Sequence, residues 1–138
     1  MNTPIVLALV SLVFYGLGAF FNKVAAKNGV YFPLFLMIVN LVYVAMAVVI
    51  HAHERQPLNL TPRTIGIAIL VGAFGAIGCA CMFYAFQHGG EGSVVFPIVG
   101  LGILVSVSLS FIVFREPITA PRLLGLAMAA GSIVILSR

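Results

Sequence analysis

The chain has 138 residues, 62% of them hydrophobic and only 7% charged, with no tryptophan and a net charge of +4. A soluble domain carries about a quarter of its residues charged to cover its surface, so this composition excludes a water-soluble fold and points to a bilayer-embedded chain. The few Lys and Arg form no basic cluster of the kind nucleic acid needs, and read instead as interfacial and topology signals at the ends of apolar runs.

Five apolar runs follow one another: Ile5–Asn22, Pro33–Ile50, Ile65–Phe86, Ser93–Phe114 and Ile118–Leu136. Each approaches the roughly 20 residues that cross a hydrocarbon core as a helix, and none alternates as a membrane strand would. The expectation is an all-α membrane protein of five transmembrane helices, with residues 1–138 as a single domain and tight turns between spans. The first run has no Lys or Arg before its apolar core and reads as a span rather than a cleaved signal. Ser11, Tyr15, Gly18 and Asn22 share one of its faces, and Lys23 follows it. On the second run Asn40, Tyr43 and Ala47 share a face. An amide in lipid needs a partner or a cavity, so Asn40 is read either as an interhelical hydrogen bond or as a substrate-facing residue. Tyr31 and Tyr84, near span ends, read as interfacial anchors.

His51, His53, Glu54 and Arg55 fall in the polar stretch "HAHERQPLNLTPR", too loose a set to expect a metal site. Thr61 is placed to cap the third helix, with Pro62 at its first position. Ala68, Gly72, Ala76 and Ala80 then recur at helical spacing. Small residues in that pattern allow close helix approach in lipid. Gly102, Ser106 and Ser110 form a similar stripe on the fourth helix, and Gly125 with Ala129 on the fifth. Cys79 and Cys81 point in different directions on a helix and read as packing residues. Pro97, followed by Gly100 and Gly102, is placed to break or flex the fourth span. In "FREPIT" the chain turns at the membrane face: Arg115 anchors at the headgroups, and Glu116 lies near the positive end of the last helix. A gate or a partner contact is the other reading of Glu116. "PRTIGIA" from Pro62 and "PRLLGLA" from Pro121 echo each other at the openings of the third and fifth helices. There is no phosphate-binding glycine loop, no catalytic triad and no acid or base in mid-span. Neither an enzyme nor a cofactor is expected.

"FREPITAPRLLGLAMAAGSIVIL" resembles the close of an EamA-type domain of the drug/metabolite transporter superfamily. "YAFQHGGEGSVVFPIVGLG" is similar to the family's passage from third to fourth helix, through Ser93–Val95 and Pro97. "FYGLGAFFNKVAAKNG" resembles its opening, through Tyr15, Gly16 and Lys23. Most members carry two such domains in tandem, and this chain carries one. The small multidrug exporters of the superfamily have a glutamate where Tyr15 stands relative to Lys23, which argues against proton-coupled export of cationic drugs.

The resemblance implies a half-size carrier in the cell membrane, the inner membrane in a bacterium. It would move a small metabolite, amphipathic solute or lipid-linked sugar by alternating access. Tyr15, Asn40, Tyr43 and Ser106 are the expected lining, with Phe96 and Pro97 shaping the wall. Lys23, Arg115 and Glu116 are turn or gate residues, and Ala68, Gly72, Ala76, Ala80, Gly102 and Gly125 pack helices. Besides the lipid bilayer, the expected partner is a second copy, in antiparallel arrangement, or a homologous chain. A non-transporting scaffold subunit is the competing class.

Overall fold

In the computed structural model, which describes residues 3–58, 60–115 and 119–136, the apolar runs are helices and the described residues contain no strand. The helices are α1 (Thr3–Lys27), α2 (Phe32–Glu54), α3 (Pro62–Gln87), α4 (Gly92–Gly100), α5 (Gly102–Phe114) and α6 (Ala120–Leu136). Four stretches are long and apolar enough to cross a bilayer: α1, α2, α3 and the α4–α5 pair. The apolar part of α6, Leu123–Ser132, is the shorter fifth. The chain is an all-α, multi-pass membrane bundle. Glu116 lies outside the described residues, though Arg115 and Thr119 on either side of that turn do not.

Two helices run further than the apolar pattern indicates. α1 continues through Ala25, Ala26 and Lys27, all good helix formers, so Lys23 sits on the helix rather than in a linker. α2 continues to Glu54, which places His51 and His53 in its last turn instead of in a polar loop. Nothing stops either helix at the membrane face until the chain adopts left-handed backbone. That happens at Gly29 (φ 69°) after α1 and at Arg55 (φ 51°) after α2. α3 opens as its sequence dictates: Thr61 accepts from the N–H of Thr64 at 3.2 Å, and Pro62 needs no partner there.

The fourth span is interrupted at Leu101, between Gly100 and Gly102. Pro97 has no N–H to close onto the Ser93 carbonyl. Four residues on, the Leu101 N–H is shared between the carbonyls of Pro97 (3.2 Å) and Ile98 (3.1 Å). The Leu104 N–H then reaches only as far back as Leu101, at 2.9 Å. The join is a tightened turn rather than a free break.

The first four spans form two matching hairpins. After α1, the N–H groups of Gly29 and Val30 close on the carbonyls of Ala26 and Ala25. After α3, those of Gly89 and Gly90 close on Phe86 and Ala85, a closure that requires the positive φ glycine supplies. At the same offset along the chain, Arg55 and Arg115 cap α2 and α5 in left-handed backbone, at φ 51° and 52°. α1 and α3 lie side by side and run parallel, since Asn22 meets Cys79 while the turns after both helices meet each other. Each hairpin reaches into the other: Phe83 of α3 packs on Phe32 at the start of α2, and Lys23 of α1 packs on Gly92 at the start of α4. That exchange relates the hairpins by an approximate two-fold axis between α1 and α3.

Packing is concentrated at one end. Among the described residues Ala26, Phe32, Phe83 and Phe86 are the buried hydrophobic ones, with Phe35, Leu36, Cys79, Ala80, Val95 and Phe96 packed around them, and Gly92 at the start of α4 is buried as well. The ring centroids of Phe32 and Phe83 are 5.0 Å apart, and those of Phe86 and Phe96 5.1 Å. Away from this cluster α1, α2 and α3 are exposed along most of their length: Thr3–Gly18, Asn40–Glu54 and Pro62–Gly75.

Candidate functional site

Tyr15, Asn40 and Tyr43 lie on these exposed stretches, Tyr15 with 80% of its surface accessible. Asn40 turns its amide onto its own helix, donating from Nδ2 to the Leu36 carbonyl at 2.7 Å. Ser106 likewise donates to the Gly102 carbonyl at 3.2 Å. Each bond occupies one donor, which lowers the cost of facing lipid or a cavity; the Asn40 amide keeps a second N–H and its carbonyl oxygen for another partner. No hydrogen bond joins Tyr15, Asn40, Tyr43 and Ser106 to one another among the described residues. Phe96 is half-buried against Phe86, and Pro97 stands one residue further along the same half-buried side of α4. The structure therefore separates the expected lining into an exposed group and a packed pair.

The small-residue stripe of α3 divides in the same way. Ala76 and Ala80 are half-buried and Ala80 touches the core, whereas Ala68 and Gly72 are exposed. A side chain added at Gly72, Gly102 or Gly125 would meet nothing within 4 Å. Within one chain, only the end of the stripe nearest the turns packs another helix.

Two links escape a reading of apolar runs. Asn22 donates to the Gly18 carbonyl (3.0 Å) and accepts from the Cys79 thiol at 3.8 Å, which ties α1 to α3. Gln87 donates from Nε2 to the Val30 carbonyl at 3.2 Å, which ties the two glycine turns together. Between those turns lies an open cavity of about 430 Å³, lined by Ala26, Lys27 and Gly29 from one hairpin and Phe86, Gln87 and Gly89 from the other. A second, apolar groove of about 490 Å³ runs between α5 and α6, past Leu104, Val107, Phe111 and Leu126.

Lys23 and Lys27, one turn apart on α1, have different surroundings. Lys27 is exposed at the rim of the turn cavity. Lys23 is half-buried, with its ammonium 5.9 Å from the centre of the Phe86 ring. It also lies so close to Gly92 that a Cβ there would come within 2.6 Å of Nζ. Among the described residues Lys23 forms no ion pair; Glu91, beside Gly92, instead accepts from the Ser93 hydroxyl at 3.4 Å. No described group of three or more His, Cys, Asp and Glu is placed to hold a metal ion.

The chain matches the model of the EamA-like transporter family over residues 2–138. It is also similar to an uncharacterized protein of Methanocaldococcus jannaschii, 30% identical over 138 residues that cover 99% of this chain and 98% of the relative. No solved structure matches it.

Proposed function

The chain belongs to the EamA-like transporter family, and from that membership we propose that it is a half-size carrier working as an antiparallel dimer. Its substrate is a small metabolite, an amphipathic solute or a lipid-linked sugar, moved across the cell membrane by alternating access. The observation that carries this reading is the one-sided packing. A small core of Ala26, Phe32, Phe83 and Phe86 holds one end of a bundle in which long stretches of α1, α2 and α3 face outward, with Tyr15, Asn40 and Tyr43 among the exposed residues. A second copy supplies the missing walls. Transporter sites lie near the bilayer midplane between such halves, commonly related by inversion.

Tyr15, Asn40, Tyr43 and Ser106 line the path, Phe96 and Pro97 shape its wall, and the tightened turn at Leu101 is where the fourth span bends. Lys23, Arg115 and Glu116 serve at the turns. The charges suit either orientation. By the order of spans in the sequence, Arg55, Arg63, Arg115 and Arg122 are assigned to one face and Lys23, Lys27 and Arg138 to the other, a bias too small to fix topology by loop charge. Reconstitution into liposomes, with uptake and lipid-scrambling assays over these solute classes, tests transport. Labelling of Ser137→Cys in intact cells, with Cys79 and Cys81 replaced, tests orientation. Reagent reaching the C-terminus from both sides supports the antiparallel dimer, while a single-sided C-terminus on a monomer of native mass overturns it.

A scaffold subunit that packs against another membrane protein is the competing reading, favoured by the exposed end of the α3 stripe at Ala68 and Gly72. Under it, no solute moves and apolar replacements of Tyr15 and Asn40 are harmless.

A further inference from the structure

The two hairpins repeat their backbone but not their chemistry. Where α3 carries Phe83, α1 carries Lys23 at the matching position; where α2 begins with Phe32, α4 begins with Gly92. Phe83 is fully buried, with Phe32 at 5.0 Å and Phe35 at 5.5 Å. On the other side of the axis the aromatic pair is replaced by an ammonium lying over a glycine. The glycine leaves room for it there: a Cβ at position 92 would lie 2.6 Å from Nζ, so a larger residue would displace the ammonium from this position.

A lysine needed only to anchor the chain at the headgroups extends outward, as exposed Lys27 does. Lys23 does the reverse. Its ammonium is held among α1, the Phe86 ring of α3 and the backbone of α4, with no carboxylate paired to it. The acidic side chains of the sequence are Glu54, Glu91 and Glu116. Of the two described, Glu54 and Glu91, only Glu91 belongs to the hairpin turns beside Lys23, and its carboxylate is engaged by Ser93. An ammonium with no counter-charge beside it among the described residues is free to form a charge-assisted hydrogen bond with an oxyanion. The half-buried Phe96 ring, which a Cβ at Gly92 would also touch, offers an apolar surface beside the charge.

We propose that Lys23, seated over Gly92, is an oxyanion-recognition point for the carboxylate or phosphate group of an otherwise apolar molecule. This names a substrate class for the transporter reading and rests on it. The site is nevertheless tested by binding alone, so a failure to see transport leaves the result intact.

The experiment uses the purified full chain in neutral detergent, with the thermal unfolding midpoint followed by circular dichroism. The probes are decyl phosphate, decyltrimethylammonium and inorganic phosphate. Decyl phosphate is expected to raise the midpoint saturably, and decyltrimethylammonium to leave it unchanged. Lys23→Gln weakens half-saturation by about tenfold or more, the loss of one charge-assisted contact. Lys23→Arg retains most of the effect, and Lys27→Gln all of it. Gly92→Ala weakens binding by crowding the ammonium, and Glu91→Gln strengthens it by removing the neighbouring negative charge, so the site remains testable if Lys23→Gln does not fold. Neutral nanodiscs doped with phosphatidylglycerol separate the sources. A Lys23-dependent rise there identifies a lipid headgroup, and a rise with decyl phosphate but not with the lipid identifies a solute. Equal responses of wild type and Lys23→Gln, an equal loss in Lys27→Gln, or no response to decyl phosphate overturns the proposal.

Discussion

Replacing Phe83 with alanine isolates what holds this bundle together. Phe83 is fully buried where the two hairpins interlock, with Phe32 and Phe35 at centroid distances of 5.0 and 5.5 Å. In a water-soluble core the same truncation costs about 3–5 kcal/mol. In a bilayer part of that disappears, because a ring released among acyl chains is not released into water. What remains is the lost attraction of two ring pairs, about 0.5–1.5 kcal/mol each, together with the unfilled void. The expected loss is about 2–3 kcal/mol, set by those two contributions. Phe74→Ala on the same helix is the control: Phe74 is 72% exposed, and its truncation is expected to change stability by no more than about 0.5 kcal/mol. Reversible unfolding in mixed micelles by titration with sodium dodecyl sulfate, followed by circular dichroism, measures both. Phe83→Ala within about 0.5 kcal/mol of wild type, or equal to Phe74→Ala, would refute an aromatic cluster as the main clamp.

Pro97→Ala restores an N–H that can close on Ser93 and straightens the span through Leu101; transport per folded molecule is expected to fall while folded yield holds, and equal specific transport would remove Pro97 from the mechanism. Gly72→Leu, with open space around it, is expected to leave the single chain folded but lower its dimer fraction in cross-linking, and an unchanged fraction assigns that face to lipid. Gly29→Val forces a branched side chain into left-handed backbone and is expected to lower stability by about 1–2 kcal/mol. Arg55→Gly relieves the same strain and is expected to raise stability by about 0.5–1 kcal/mol; both are read from thermal melts, and changes of the same sign would count against the backbone argument.

The spans were legible because lipid leaves the backbone few options: an apolar run of this length without polar alternation forms a helix. Thr61 and Pro62 were legible for a local reason, since a cap is decided within one turn. The helix ends were harder. Ala25 and Ala26 favour helix and His51 and His53 are carried along in the last turn of α2, so the helices outrun the apolar runs that mark them. The hairpin relation was not visible. "PRTIGIA" and "PRLLGLA" repeat in letters at the openings of α3 and α6, whereas the glycine turns and the left-handed arginines that match the two hairpins repeat in backbone, which composition does not reveal. Lys23 was visible as a lysine at a helix end. Its inward placement was not, because it depends on Gly92, far along the chain and informative only once the hairpins interlock. Tyr15, Asn40, Tyr43 and Ser106 were named from their residue types and span positions, and no hydrogen bond joins them among the described residues, so their grouping rests on the proposed second copy.

A bundle fastened at one end has the mechanics of tweezers. α2 is 23 residues long, about 34 Å at the helical rise, and it meets its neighbours through Phe32, Phe35 and Leu36 in its first turns. A tilt of about 10° at that fulcrum carries its far end through about 6 Å, by the same helical length. Small repacking among the aromatic rings around Phe83 is thereby magnified into an aperture change at the opposite membrane face, without any helix having to unwind.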